Sequence, residues 1–151
     1  MSEINTYDEI LEFAIAREQQ ASHFFLALAE RVESAEIRKV FEDLAEEELE
    51  HKARLELEVM KKGKTIAQNN KKYDFNPSDY IIADELTLDM DYKDILMLGI
   101  VKEDASFRLY VDLAAHVTNE ESRDTLLSLA EEEVKHKLRF ETEYDNLLKQ
   151  S

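Results

Sequence analysis

The sequence predicts an all-α fold, an antiparallel four-helix bundle with one long connection, built from two repeated helical hairpins. Its 151 residues include only two Gly and one Pro, so few positions break a helix. Apolar residues recur with helical spacing in four segments. The sequence LAEEELEHKARLELE at 44–58 returns as LAEEEVKHKLRFETE at 129–143, an offset of 85 residues (129 minus 44). These observations favour two copies of one hairpin.

The first hairpin is predicted to contain α1 over about residues 7–32 and α2 up to about Lys62. Asn5 or Thr6 precedes α1 and can cap its first turn, because a short polar side chain accepts a hydrogen bond from the unpaired backbone N–H groups there. Ser34 is the corresponding cap of α2. Only a few residues separate the two helices, so they should run antiparallel.

The second hairpin is predicted to contain α3, from near Asp91 to near Thr118, and α4, over about residues 120–149 with Asn119 as its cap. Its connection is again only a few residues long. We therefore expect α3 and α4 to run antiparallel, as predicted for α1 and α2.

The connection between the hairpins, residues 63 to about 90, contains Gly63 and the single proline, Pro77. A helix of about 26 residues is about 39 Å long, and about 25 extended residues can span that distance. One such crossover is typical of the ferritin-like topology, whereas short connections throughout are typical of simple up-down bundles. We expect residues 1–151 to form a single domain, with hairpin repeats at about 7–62 and 92–149.

The charge balance excludes several classes of function. The chain has 35 Asp and Glu against 19 Lys and Arg, a formal net charge of -16, which disfavours binding to nucleic acid and to anionic membranes. No apolar run approaches the roughly 18 residues of a membrane span, and the N-terminus lacks a secretory pattern. The absence of cysteine excludes disulfides, thiolate zinc sites and iron–sulfur centres. We expect a cytoplasmic protein.

Polar ligand-type residues interrupt the apolar stripe of every helix near its middle. The stripes of α1 and α3 each contain one Glu, and those of α2 and α4 each contain Glu-x-x-His. These residues are Glu18 on α1, Glu48 and His51 on α2, Glu103 on α3, and Glu133 and His136 on α4. All six align at the same offset, so we expect them in one layer of the bundle.

Four carboxylates buried together are unfavourable, because each loses hydration and repels the others. Two divalent cations would balance their charge, and oxygen and imidazole ligands suit iron or manganese. One Glu from each of two helices and Glu-x-x-His from the other two is the pattern of di-iron and di-manganese carboxylate proteins. The competing interpretation is a duplicated bundle with solvated acidic faces. It accounts for the acids that lie off the stripes: Glu46, Glu47, Glu50, Glu131 and Glu132.

Through these motifs, nearly the whole chain resembles the rubrerythrin family of the ferritin-like superfamily. The resemblance implies terminal carboxylates at Glu18 and Glu103 and bridging carboxylates at Glu48 and Glu133. It implies one imidazole per metal, supplied by His51 and His136. The implied cofactor is a pair of iron ions, with manganese or zinc as substitutes.

The same resemblance implies that the chain reduces peroxide or dioxygen, or oxidises ferrous iron, with electrons from a partner redox protein. Proteins of this kind are commonly homodimers. Typical rubrerythrins also carry a rubredoxin domain with a four-cysteine iron site, so this cysteine-free chain is expected to be a short form without it. They carry an additional Glu three residues after the α3 ligand, where this chain has Ser106.

Three interpretations remain open at this level: a di-iron oxidoreductase, a non-catalytic protein that binds and sequesters iron, and an interaction module without a working site. Tyr110 lies in the α3 stripe two turns beyond Glu103, which makes it a candidate catalytic residue, although an aromatic residue there is also typical of a core. His23 and His116 lie off the stripes and are expected on the surface.

Overall fold

The helices form two hairpins. The computed structural model describes residues 6–61, 76, 79–80 and 91–149. Within these residues there are four helices, α1 (Tyr7–Ala29), α2 (Ala35–Met60), α3 (Tyr92–His116) and α4 (Glu120–Lys149). The chain divides into two compact units, Met1–Pro77 and Ser78–Ser151, with one hairpin in each. Among the described residues, no helix combines the length and the hydrophobicity that a membrane crossing requires.

In the first hairpin, the side chains predicted as caps start both helices. Thr6 accepts a hydrogen bond from the backbone N–H of Glu9, and the Glu9 carboxylate accepts one from the backbone N–H of Thr6. This reciprocal pair satisfies two backbone donors at the exposed end of α1. Ser34 accepts from the backbone N–H of Ile37 at the start of α2. The predicted starts of α1 and α2 are therefore confirmed.

The first helix ends earlier than predicted, at Ala29 rather than near residue 32. The backbone N–H of Arg31 donates to the carbonyl of Leu28 at 3.0 Å, and that of Val32 donates to Ala29 at 3.5 Å. These are three-residue rather than four-residue hydrogen bonds, so the chain tightens before it turns into α2. Val32 is still buried, so the apolar periodicity continues through this turn. For that reason the periodicity predicts a longer α1 than the structure has.

In the second hairpin, Asp91 accepts from the backbone N–H of Asp94 and caps α3. Asn119 accepts from the backbone N–H of Ser122 at 2.8 Å and caps α4. The α3 helix ends at His116, two residues before the predicted end, and Val117 is extended. The predicted start of α3 near Asp91 and the predicted cap of α4 at Asn119 are confirmed.

The predicted stripes are the buried faces of the helices. The apolar residues of these faces that are fully buried are Leu11, Ala14, Phe25, Leu28, Phe41 and Leu55 in the first unit, and Leu96, Leu126, Leu129 and Phe140 in the second. A polar contact lies at the end of the first hairpin where α1 begins and α2 ends. There the hydroxyl of the buried Tyr7 donates a hydrogen bond to Glu58 Oε1 at 3.3 Å. Lys61 Nζ lies 3.3 Å from the other carboxylate oxygen of Glu58 and partly offsets its charge.

The predicted crossover falls almost entirely outside the described residues. Tyr80 is described and buried, and its hydroxyl donates to Asp112 Oδ2 of α3 at 2.5 Å. Burial, followed by this hydrogen bond, raises the pKa of the Tyr80 phenol. The path of the crossover and the single-domain organisation stay predictions.

A glycine allows close contact between α3 and α4. A Cβ atom at Gly99 would lie within 2.7 Å of three ring carbons of Phe140. The positions one repeat earlier, 85 residues back, are Ala14 and Leu55. The second hairpin therefore has a smaller residue on one helix and a larger one on the other, and the two changes compensate in volume.

We expect Gly99→Ala to destabilise the protein by about 1 kcal/mol, because the overpacking cost of about 1–3 kcal/mol exceeds the helix-propensity gain of about 1 kcal/mol. Urea denaturation measures this change. Combining it with Phe140→Leu recreates the Ala14 and Leu55 pair and should recover stability relative to the two single variants. A Gly99→Ala variant more stable than the parent would contradict this account of the contact.

Candidate metal centre

The first hairpin brings Glu18 of α1 together with Glu48 and His51 of α2. The i, i+3 spacing places Glu48 and His51 on one face of α2, and that face packs on α1. Nδ1 of His51 lies 3.3 Å from Glu18 Oε2 and 3.4 Å from Glu48 Oε1. One ligand atom from each of the three residues lies within 4.8 Å of the others. We call this set of residues the first triad.

The second hairpin repeats this arrangement with Glu103 of α3 and Glu133 and His136 of α4, the second triad. Nδ1 of His136 lies 3.6 Å from Glu103 Oε2 and 3.7 Å from Glu133 Oε1. One ligand atom from each of these residues again lies within 4.8 Å of the others. The duplication seen in the sequence therefore places the same three types of side chain in contact in both hairpins.

All six side chains are withdrawn from solvent. None of the six residues is more than 3% exposed, although glutamate is almost never fully buried unless it is paired. Burial, and next the nearby charge of Glu133, raise the pKa of Glu103 well above its usual range, while His136 acts in the opposite direction. A cation between these oxygens would favour the ionised carboxylates and would oppose the rise in the pKa of Glu103.

The donor set of each triad fits iron or manganese. Two carboxylates and one imidazole are hard oxygen and borderline nitrogen ligands, and neither triad contains a thiolate that would select a softer metal. The close spacing of the donor atoms suits a single ion per triad. A buried set of two acids and one imidazole is also costly unless a positive charge compensates it. The assignment of these six residues as ligands stays a prediction.

The remaining candidate residues are buried or exposed as predicted from their positions on or off the stripes. Tyr110 is buried in α3, and its catalytic role stays a prediction. Both off-stripe histidines, His23 and His116, are exposed. The off-stripe acids on α2 and α4 are exposed or half-buried, as solvated faces require: Glu46, Glu47, Glu50, Glu131 and Glu132.

The sequence patterns did not predict one buried acid, Glu58. Glu58 continues the 3-4 spacing of α2 three residues beyond Leu55, and it is as buried as the predicted ligands. Two residues in the sequence could have indicated its burial: Tyr7 at the start of α1 and Lys61 one turn after Glu58. Each donates a hydrogen bond to one of the two carboxylate oxygens of Glu58. Glu58 is therefore explained by these contacts without a metal.

Two solved structures have the same fold as this chain. A Thermotoga maritima protein provisionally assigned as a ferritin-like diiron-carboxylate protein is 20% identical, with a TM-score of 0.83 over 96% of this chain and 98% of that one. KatB, a manganese catalase from Anabaena, is also 20% identical, with a TM-score of 0.68 over 97% of this chain and 75% of that one. These similarities show a ferritin-like, all-α fold, and the predicted fold class is confirmed.

The sequence then identifies the family. The sequence model of the Rubrerythrin family matches residues 9–144, and this chain belongs to that family. A hypothetical protein from Pyrococcus furiosus is 27% identical, with a TM-score of 0.74 over 95% of this chain and 91% of that one. No curated protein matches the sequence. The family resemblance predicted from the six stripe residues is confirmed.

The raised pKa of Glu103 predicts how the metal-free protein responds to pH. Above the ordinary value of 4.5, the unfolded chain releases a proton that the folded protein retains on Glu103. The stability of the metal-free protein should therefore decrease as the pH rises from about 4.5. Glu103→Gln removes the ionisable group and should flatten this dependence. Thermal unfolding in the presence of a chelator, from pH 5 to pH 8, measures both.

The matched control for that experiment is Glu131→Gln, which removes an exposed acid from α4. It should leave the slope of stability against pH unchanged. Equal slopes for the parent and for Glu103→Gln would show that Glu103 ionises as freely in the folded protein as in the unfolded chain.

Proposed function

We propose that the two triads hold two iron ions in one dinuclear centre and that the protein is a redox enzyme. Its reaction would be the reduction of peroxide or dioxygen, or the oxidation of ferrous iron. The observation that carries this proposal is the presence of two buried, duplicated Glu/Glu/His triads in a member of the rubrerythrin family.

Charge supports a stoichiometry of two. Four carboxylates carry four negative charges, two divalent ions carry four positive charges, and the two imidazoles are neutral when they act as ligands. A single ion would leave two buried carboxylates uncompensated. Within this proposal Glu18 and Glu103 are the terminal ligands, and Glu48 and Glu133 are the bridging ligands.

The side chains of the triads have separable roles. The Nδ1 atoms of His51 and His136 face the carboxylate oxygens of their own triads, so Nδ1 is the atom that would bind metal and Nε2 would carry the proton. The four carboxylates would hold the ions and would balance their positive charge. Bound iron would supply the two electrons that peroxide reduction needs. The apolar surroundings of the triads keep bulk water from the centre.

Tyr110 is the residue we propose beside the centre. It lies seven residues after Glu103, two helical turns along the buried face of α3. The equivalent position of the first hairpin is Phe25, so the second hairpin alone has a hydroxyl there. We propose that this hydroxyl donates a hydrogen bond or an electron during the reaction.

Two variations on this function make different predictions. KatB has the same fold and is a manganese catalase, which makes manganese a reasonable alternative metal. A protein that only sequesters iron would use the same ligands without turnover.

Turnover as a peroxidase needs an external source of electrons, and we propose a separate redox protein as the electron donor. We propose a cytoplasmic homodimer as the working form.

Metal analysis after expression in iron-replete medium tests the centre. We expect about two irons per chain, falling to about one in His51→Ala and in His136→Ala, because each variant loses one imidazole of a triad. His116→Ala removes an exposed histidine and should leave the metal content unchanged. Titration of the reduced protein with peroxide should then show repeated turnover. A single slow oxidation would favour sequestration, and a protein without metal would exclude both functions.

Replacement of the candidate hydroxyl tests Tyr110 separately from metal binding. Tyr110→Phe should retain the iron, because phenylalanine occupies the equivalent position in the first hairpin. We expect peroxide turnover to fall by about tenfold or more, as for other groups next to a metal site. Tyr144→Phe, a half-buried tyrosine of α4, is the control and should keep full activity. Unchanged turnover in Tyr110→Phe would assign this residue to the core alone.

A further inference from the structure

A polar bridge joins α1 to α2 directly beside the first triad. Nζ of Lys52 donates to Oε1 of Gln19 at 2.8 Å, and these residues are 33 positions apart in the chain. Gln19 immediately follows Glu18, and Lys52 immediately follows His51. The amide nitrogen of Gln19 lies 3.0 Å from the ring nitrogen Nε2 of the exposed His23, one turn later on α1.

The second hairpin has the same bridge with different chemistry. Nζ of Lys137 donates to Oδ1 of Asp104 at 3.0 Å, again across 33 positions. Asp104 follows Glu103, and Lys137 follows His136. Nε of Arg108, one turn later on α3, lies 3.3 Å from the other oxygen of Asp104.

The position of these bridges matters because neighbouring residues of a helix keep a fixed position relative to each other. A residue next to a ligand shares its level along the helix axis and points about 100° away from it. A bridge between two such residues therefore limits sliding and rotation of the two helices at the level of the ligands. In both hairpins it opposes changes in the separation between the glutamate of the first helix and the histidine of the second.

We propose that Lys52 and Lys137 are positioning residues of the metal centre, each holding the two helices of its own hairpin in the register that metal binding requires. This inference rests on the proposed function, because it assigns the bridges a role toward the ions that the triads would hold. The bridging lysines touch neither the triads nor a substrate in this role, and they act through the backbone of the adjacent ligands.

The repeat shows which property of the bridge is preserved. One acceptor is the side-chain amide of Gln19 and the other is the side-chain carboxyl group of Asp104, but both receive a hydrogen bond from the lysine that follows the histidine. The common feature is therefore the cross-helix hydrogen bond, whereas the charge of the acceptor varies. A purely electrostatic role would not be expected to tolerate this exchange.

The second bridge is also tied to the segment that precedes α3. Nη1 of Arg108 donates to the backbone carbonyl of Asp79 at 3.5 Å, and its guanidinium lies 5.7 Å from the centre of the Tyr80 ring. Arg108 therefore connects Asp104 to residues 79–80 as well as to its own helix. We expect loss of Lys137 to be partly compensated by these contacts, and loss of Lys52 to have the larger effect.

Anaerobic Fe²⁺ titration against a competing chelator tests the proposal in two backgrounds. His51→Ala leaves only the second triad intact, and His136→Ala leaves only the first. In the His51→Ala background, Lys137→Met should weaken Fe²⁺ binding by about two- to fivefold, and Lys52→Met should not. In the His136→Ala background, the effects of the two substitutions should be reversed, with the loss from Lys52→Met at the upper end of that range.

The sign of the change separates positioning from electrostatics. Removing a positive charge near a cation site strengthens cation binding if only the electric field matters. A weaker affinity in the lysine variants therefore supports positioning, and a stronger affinity overturns it. Asp104→Asn keeps an oxygen acceptor but removes a negative charge. It should leave the affinity nearly unchanged, whereas a purely electrostatic role requires weaker binding.

Two controls address general effects of substitution. Lys135→Met removes an exposed lysine of α4 next to His136, and Lys39→Met breaks an exposed pair with Asp43 within α2. Neither should weaken Fe²⁺ binding. Lys137→Arg retains a donor that can reach Asp104 and should restore the parental affinity if Lys137→Met unfolds. Circular dichroism of each metal-free variant checks that the helices are intact.

The outcomes distinguish this inference from the proposed function. If the parent and both backgrounds bind no Fe²⁺, the metal centre and the positioning role are both overturned. If the backgrounds bind Fe²⁺ and the lysine variants match them, the metal centre stands and the positioning role is overturned. Selective weakening in the matching background supports both.

Discussion

The burial of two carboxylates beside a histidine in each hairpin is the constraint on which the rest of the structure depends. Glu18 and Glu48, like their second-hairpin counterparts, lie at positions that an ordinary bundle fills with apolar side chains. Loss of hydration and mutual repulsion make this unfavourable for an isolated bundle. Burial and the nearby charge of Glu133 raise the pKa of Glu103 for these two reasons. A cation held between these carboxylates, as proposed above, would offset that cost.

Duplication places the same chemistry in both hairpins, but the packing around it differs. The second hairpin combines Gly99 with Phe140, where the first combines Ala14 with Leu55. Its stripe also contains the polar residues Ser106 and Tyr110, whereas the equivalent residues of the first hairpin are apolar. The two triads therefore have different surroundings, and the two ions that we propose they hold need not have equal affinities or equal roles.

Sequence patterns predicted the helix starts well, because Thr6, Ser34 and Asp91 satisfy a local need for hydrogen-bond acceptors. They predicted the end of α1 less well, since apolar spacing continues into the tight turn that ends at Val32. The buried Glu58 was missed for a related reason. Its burial depends on Tyr7, which is 51 residues away in the chain and adjacent only after the hairpin has formed.

The sequence by itself determined the family, the four helices, the face that each helix buries and the six residues that interrupt those faces. These properties follow from local periodicity and from comparison of the two repeats, neither of which needs distances across helices. Only the tertiary structure decided that Nδ1 of each histidine faces its two carboxylates, and that Lys52 and Lys137 bridge their hairpins. Those features depend on how far apart two helices pack and how each is rotated, which the packing of whole side chains determines.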